Sequence, residues 1–229
     1  MNFESLFAGK TAIEAIIVIN AEPLPLCLPL LWKNAKLKIC ADGGADLLLK
    51  AFGTTLRPDL ILGDLDSLST ATRQVWENEG VPIERETDQD STDLEKCLRR
   101  VPLTNMHVVV AGGVGGRLDQ TLGVINCVYK EVIECRRNTI LLGGETVAVV
   151  IRGGTETMMT FPRSLIGSHC GLVPLFGKSD NVTTRGLKWE LCNQPTGFGG
   201  LISTSNLLDS TDLEIVTSQP LLWTLSSDL

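Results

Sequence analysis

Four acidic stretches hold the residues of this chain whose types and spacing could do chemistry. Asp42 stands in Ala41-Asp42-Gly43-Gly44, and Asp64 and Asp66 in Gly63-Asp64-Leu65-Asp66-Ser67. Asp93 closes Thr87-Asp88-Gln89-Asp90-Ser91-Thr92-Asp93, and Asp119 lies in Gly115-Gly116-Arg117-Leu118-Asp119-Gln120. Carboxylates gathered closely repel one another, and each becomes costly to keep ionised. A divalent cation resolves the conflict. Mg²⁺ prefers hard oxygen ligands, keeps several waters and bridges one or two carboxylates to substrate phosphates. Asp64 and Asp66, two positions apart, can both approach one ion. Residues 112–116 place four glycines in five positions, which lets backbone N–H groups approach phosphates closely. Arg117 adds a forked donor. Lys96, three residues after Asp93 on the same helical face, could meet another phosphate oxygen.

These residues need elements to bring them together. From 12 to about 137, apolar strand-like runs (12–19, 37–41, 60–62, 81–84, 106–111) alternate with helical patterns (45–52, 70–79, 91–100, 118–135). The last helix carries a stripe of Leu118, Leu122, Ile125, Val128 and Val132 at helical spacing. Strand–helix alternation implies a mostly parallel sheet covered on both faces. Each acidic stretch then falls in a strand-to-helix turn, at the carboxyl edge where such sheets bind ligands. From about 138 the pattern changes to short strand candidates (139–142, 146–151, 155–161, 170–175, 187–191, 200–203, 213–217, 221–225) separated by Gly, Pro and Asn/Asp turns. That spacing indicates an all-β sandwich. The expected organisation is an α/β domain over 1–140 and a β-sandwich domain over 141–229.

Composition narrows the function. The chain has 229 residues with 20 Lys+Arg against 27 Asp+Glu, a formal charge of −7. That sign argues against nucleic-acid binding, and no 18-residue apolar run suggests a membrane span. The start lacks the basic flank and apolar stretch of a secretion signal. Seven cysteines without a CxxC pair fit reduced thiols in a cytoplasmic protein better than a zinc site or disulfide framework. Familiar nucleotide motifs fail on spacing. A dinucleotide fingerprint from Gly113 would need glycine where Leu118 stands, and P-loops ending at Thr11 or Ser179 would need glycine at Glu4 or Leu172. His107 and His169 fall in or beside strand patterns, so a histidine triad is not supported.

The four acidic motifs, followed by Gly186-Leu187-Lys188-Trp189, Ser203-Thr204-Ser205-Asn206 and Pro220-Leu221-Leu222-Trp223, occur in the order seen in thiamin pyrophosphokinases. The chain resembles that family from about 15 to 225. The resemblance implies an Mg²⁺-dependent enzyme that moves the pyrophosphate of ATP to the hydroxyl of thiamin, giving thiamin diphosphate and AMP. It also implies a homodimer whose cleft is shared between the α/β domain of one subunit and the β domain of the other. By position, Asp64, Asp66 and Asp93 look like the metal-binding and catalytic carboxylates, with Arg117 as a catalytic cation. Asp42, Gln89, Lys96, Gly113, Gly115, Gly116, Arg117, Asp119 and Gln120 look like ATP-site residues. Trp189, Ser203, Ser205 and Asn206 look like the thiamin side, and the domain over 141–229 like the thiamin-binding and dimerisation half. Trp223, within an apolar strand, reads as core. Two rival readings use the same residues: another Mg²⁺-dependent nucleotide transferase, such as a glycosyltransferase with the Asp64-Leu65-Asp66 pair, or a non-catalytic nucleotide or thiamin regulator.

Overall fold

The computed structural model describes residues 1–226. The chain opens with a short helix, α1 (Phe3–Phe7), and then alternates β1 (Ile13–Val18), α2 (Leu28–Trp32), β2 (Ala35–Ala41), α3 (Gly44–Phe52), β3 (Leu60–Gly63), α4 (Thr70–Asn78), β4 (Ile83–Arg85), α5 (Asp93–Arg99), β5 (His107–Ala111), α6 (Leu118–Ile133) and β6 (Asn138–Gly143). Eight strands follow: β7 (Thr146–Ile151), β8 (Glu156–Thr160), β9 (His169–Val173), β10 (Ser179–Arg185), β11 (Gln194–Thr196), β12 (Ser203–Leu207), β13 (Asp212–Thr217) and β14 (Leu221–Ser226). No helix among the described residues is long and apolar enough to cross a membrane.

Residues Thr11–Gly144 form one compact unit. Its six strands lie in the order β6-β5-β1-β2-β3-β4, and every neighbouring pair is parallel. All six residues of β1, Ile-Glu-Ala-Ile-Ile-Val, are buried, as expected for a parallel strand covered on both faces. Chain order runs outward from β1 through β4 on one side and through β5 and β6 on the other. The crevice between the β1 and β5 turns is therefore the topological switch point, where open α/β sheets bind ligands. Local chemistry sets the helix ends. Thr92 and Glu95 form a reciprocal capping box at the start of α5. The Ser69 side chain accepts from Thr72 N at the start of α4, and Gly53 ends α3 with φ +59°.

Residues Met1–Lys10 and Glu145–Leu229 form the second unit, so the first ten residues belong with the β half rather than with the α/β domain expected over 1–140. Phe3 of α1 is the reason. Its ring stacks on Phe161 at 5.1 Å, and Phe161 lies 5.2 Å from Trp223. All three rings are buried, in line with the core reading of Trp223. The strands pair antiparallel, β7-β14-β9-β12 and β8-β13-β10-β11. The expected strand over 187–191 is instead a loop, joined to a neighbour by a single bridge between Leu187 and Leu208. The strand expected over 200–203 begins at Ser203, and β10 and β11 stand where none was expected.

Candidate active site

Three of the acidic stretches converge at the carboxyl edge of the parallel sheet. Asp42 follows β2 with φ +45°, a left-handed conformation that Asp tolerates better than most residues. Its side chain is 3% exposed. Oδ2 accepts from Ser67 N at 3.1 Å, whereas Oδ1 has no hydrogen-bond partner among the described residues. Asp64 follows β3, and its N–H donates to Asp93 Oδ1 at 3.3 Å. Asp93 is the first residue of α5, where a negative charge suits the helix dipole. Each of Asp42, Asp64 and Asp93 offers an oxygen, and these oxygens lie within 4.8 Å of one another. Gly63 makes this approach possible. A Cβ at that position would sit 2.9 Å from Asp42 Cβ and 3.1 Å from Asp93 Cγ.

The electrostatics follow from that crowding. Burial raises the pKa of Asp42 above its ordinary value, and the charges of Asp93, Asp66 and Asp64 add to the shift, while the bond from Ser67 opposes it. Lys96 is 2% exposed and places Nζ 2.9 Å from Asp93 Oδ1. Burial pulls this ammonium down, but the hydrogen bond and charge of Asp93, helped by Asp64 and Asp88, outweigh it and hold the pKa above the ordinary value. A buried carboxylate oxygen without a donor, beside two more carboxylates, is a donor set that fits a hard divalent cation such as Mg²⁺.

The carboxylates that converge differ in one member from the metal set expected from the sequence. Asp42 joins Asp64 and Asp93, whereas Asp66 is exposed, with N–H donating to Asp64 Oδ1 and Oδ1 accepting from the Ser67 hydroxyl. The reason is local: Leu65 takes φ +63°, which breaks the alternation that would put residues two apart on one side.

The same crevice holds a cavity of about 390 Å³ lined by Asn20, Asp42, Asp93, Gly113, Gly115, Asp119 and Gln120, with Ile19, Leu94 and Val124 among the apolar residues. The glycine loop takes left-handed conformations, with φ of +87° at Gly112, +120° at Gly115 and +64° at Gly116. At Gly112 a side chain is also sterically barred, because its Cβ would stand 2.7 Å from Ala21 O. Arg117 directs its fork at Asp119, Nε to Oδ1 at 3.1 Å and Nη2 to Oδ2 at 2.6 Å. Gly115, Gly116, Arg117 and Gln120 line a neighbouring cavity of about 380 Å³. Gln89 is exposed and lines neither cavity. In α6, Leu118 and Leu122 are 72% and 46% exposed, whereas Ile125, Val128 and Val132 are buried, so only the second half of the expected stripe packs inward. Asn20, Ser67 and Gly63 also shape the site. Gly63 and Ser67 flank the Asp64-Leu65-Asp66 pair in the stretch read from the sequence, whereas Asn20 carried no sequence signal.

In the β unit, Asn206 brackets Trp189. Trp189 N donates to Asn206 Oδ1 at 3.1 Å, and Asn206 Nδ2 donates to Trp189 O at 2.7 Å and to Ser203 Oγ at 3.4 Å. Asn206 is buried while the Trp189 ring is 55% exposed, with Lys188 Nζ 5.0 Å from its centre. The carboxylate of Glu190 accepts from Gly186 N, Leu187 N and the Thr184 hydroxyl, which fixes the loop that carries Trp189. Trp189, Ser203 and Asn206 therefore form one bonded group. Ser205, at φ +57° in an irregular stretch of β12, lines a separate hollow with His169 and Thr224.

Comparison with known proteins matches both halves. The family model for "Thiamin pyrophosphokinase, catalytic domain" matches residues 28–140, and that for "Thiamin pyrophosphokinase, vitamin B1 binding domain" matches residues 156–222. Thiamine pyrophosphokinase 1 of Oryza sativa subsp. japonica is 34% identical over 94% of this chain and 88% of its own length. Thiamine pyrophosphokinase 1 of Arabidopsis thaliana is 34% identical over 93% and 85%. The fold matches solved structures of thiamin pyrophosphokinase from Candida albicans (21% identity, 99% of this chain and 92% of that one, TM-score 0.86) and from yeast (22%, 99% and 90%, TM-score 0.84). With matches that span both halves, the chain belongs to the thiamin pyrophosphokinase family.

Proposed function

We propose that this protein transfers the pyrophosphoryl group of ATP to the hydroxyl of thiamin, releasing thiamin diphosphate and AMP. The observation that carries the reading is the convergence of Asp42, Asp64 and Asp93 beside a glycine-lined crevice, in a chain of this family. These three carboxylates would hold Mg²⁺, with Asp66 adjacent. When bound, the ion supplies positive charge for the phosphate oxygens on which negative charge gathers.

The remaining chemistry belongs to the chain. Backbone N–H groups of Gly113, Gly115 and Gly116 cradle the phosphates, and Asp119 and Gln120 support the nucleotide from the first turn of α6. Arg117, now bonded to Asp119, offers its fork to an arriving phosphate. The thiamin hydroxyl oxygen forms a bond to the β-phosphorus. The bond from that phosphorus to the oxygen bridging the α- and β-phosphates breaks, and AMP leaves with that oxygen. The hydroxyl proton passes to a carboxylate. Asp64 takes this role through the oxygen not turned to the ion; it is half-buried, and its Oδ1 accepts from Asp66 N at 3.3 Å. Catalysis of this kind rests on positioning and electrostatic stabilisation.

Thiamin carries a fixed positive charge, which suits a chain of net charge −7. The exposed Trp189 ring already holds the Lys188 ammonium near its face and offers a surface for a cationic ring. Ser203 and Ser205 would supply hydroxyls on this side. The homodimer and its shared cleft rest on the family resemblance, and the cytoplasmic location on the unpaired cysteines. Incubation with ATP, Mg²⁺ and thiamin tests the activity: AMP and thiamin diphosphate should appear in equal amounts. ADP with thiamin monophosphate, or no turnover, would refute it.

A further inference from the structure

Lys96 lines neither cavity of the crevice. Its side chain is almost wholly buried, and its ammonium meets Asp93 Oδ1 at 2.9 Å. The same oxygen accepts from Asp64 N at 3.3 Å. One oxygen of Asp93 is thus occupied by two donors, and the ammonium lies beside the cluster of three carboxylates. A buried charge left without its partner is strongly unfavourable, so a cation beside the cluster favours its assembled state.

We propose that Lys96 is a built-in counter-charge that holds the acid cluster together when no divalent cation is bound, and that Lys96 and the cation compete for the same carboxylate charge. This rests on the reading of Asp42, Asp64 and Asp93 as the cation site. Lys96 is then a positioning residue that acts through Asp93. Because coupling between two bound charges is reciprocal, removing the ammonium must strengthen the response to the ion.

The test uses the full chain with Mg²⁺ alone, without nucleotide. Melting temperatures are measured in EDTA and across a Mg²⁺ titration, and Mg²⁺ affinity is measured by calorimetry, for wild type and Lys96→Met. The variant should melt lower in EDTA, recover more on Mg²⁺ addition than wild type does, and bind Mg²⁺ more tightly by about fivefold or more, the lower range of inter-site coupling. An equal or weaker Mg²⁺ response in the variant overturns the inference while leaving the metal site standing. A wild type that ignores Mg²⁺ by both measures overturns the metal reading and the inference with it. Should Lys96→Met fail to fold in EDTA, the double variant Asp93→Asn/Lys96→Met, which removes one charge of each sign, should fold there. Its failure to do so would also overturn the inference.

Discussion

Asp42→Asn should stabilise the metal-free protein while removing its activity. Asp42 sits in a conformation, φ +45°, that Asn accepts as readily as Asp, so the exchange adds no backbone strain. The amide oxygen can keep the bond from Ser67 N that Oδ2 makes now. The amide NH₂ replaces an oxygen that has no donor and stands among carboxylates that can accept from it. An unsatisfied buried acceptor costs about 1–3 kcal/mol, and relief of repulsion from Asp93, Asp66 and Asp64 acts in the same direction. At about 2–4 °C per kcal/mol for a chain of this size, the melting temperature in EDTA should rise by roughly 2–12 °C. The pH dependence has a definite sign. Asp42 has a raised pKa in the folded state, so it binds its proton more tightly there than in the unfolded chain. The stability it contributes is present below the ordinary value of 3.8 and is lost as pH rises through the raised value. Wild type in EDTA should show this loss, and Asp42→Asn should not. Thermal melts in EDTA over a pH series, with AMP release measured in Mg²⁺, decide the matter. A variant that melts at or below wild type in EDTA near neutral pH, or that keeps its turnover, would refute the reasoning.

Gly63→Ala should preserve the sheet yet spread the acid cluster, because the new methyl would press on Asp42 and Asp93 with about 1–3 kcal/mol of overpacking; loss of Mg²⁺-linked stabilisation together with turnover is the expected readout. Arg117→Lys should lower kcat/KM for ATP by about 10²-fold, since a point charge cannot replace a fork; unchanged kinetics would remove Arg117 from the phosphate site. Trp189→Ala should raise the KM for thiamin by roughly 2- to 30-fold, the equivalent of about 0.5–2 kcal/mol of cation–π attraction, and leave that for ATP unaltered. Asn206→Ala should move thiamin binding the same way, through the loop it brackets. Trp223→Ala should lower stability by about 3–5 kcal/mol in denaturant melts, while activity per folded molecule persists.

The α/β half was legible because its signals are local and mutually consistent. The β-branched run of Val108, Val109 and Val110 can only be a buried strand here, and Thr92 with Glu95 announces a helix start. The second half was harder to read. Ser-Asp-Asn-Val-Thr-Thr-Arg in β10 buries Ser179, Val182 and Thr184 and leaves most of the rest exposed, so its pattern is neither apolar nor strictly alternating. Leu187 to Leu191 reads as a strand, yet Glu190 captures the N–H groups of Gly186 and Leu187 and turns the segment into a loop, a side-chain effect that periodicity does not register. Asp42 was legible as a site residue but not as the third member of the cluster. Its place there depends on Gly63 permitting close approach and on Leu65 turning Asp66 outward, both of which are tertiary facts.

Those two facts also explain why the acids lie at this place in the sheet. Each of Asp42, Asp64 and Asp93 comes from a different turn, so no single helix or strand has to carry adjacent like charges through folding. Repulsion develops only when β2, β3 and α5 are docked, and by then the sheet and the α5 capping box supply the opposing free energy. Such a cluster carries a surplus of negative charge that a bound cation would relieve. Substitutions that relieve the repulsion should therefore raise stability and lower function together. Lys96 moderates the surplus without abolishing it, because its one ammonium pairs with Asp93 of a cluster of three carboxylates.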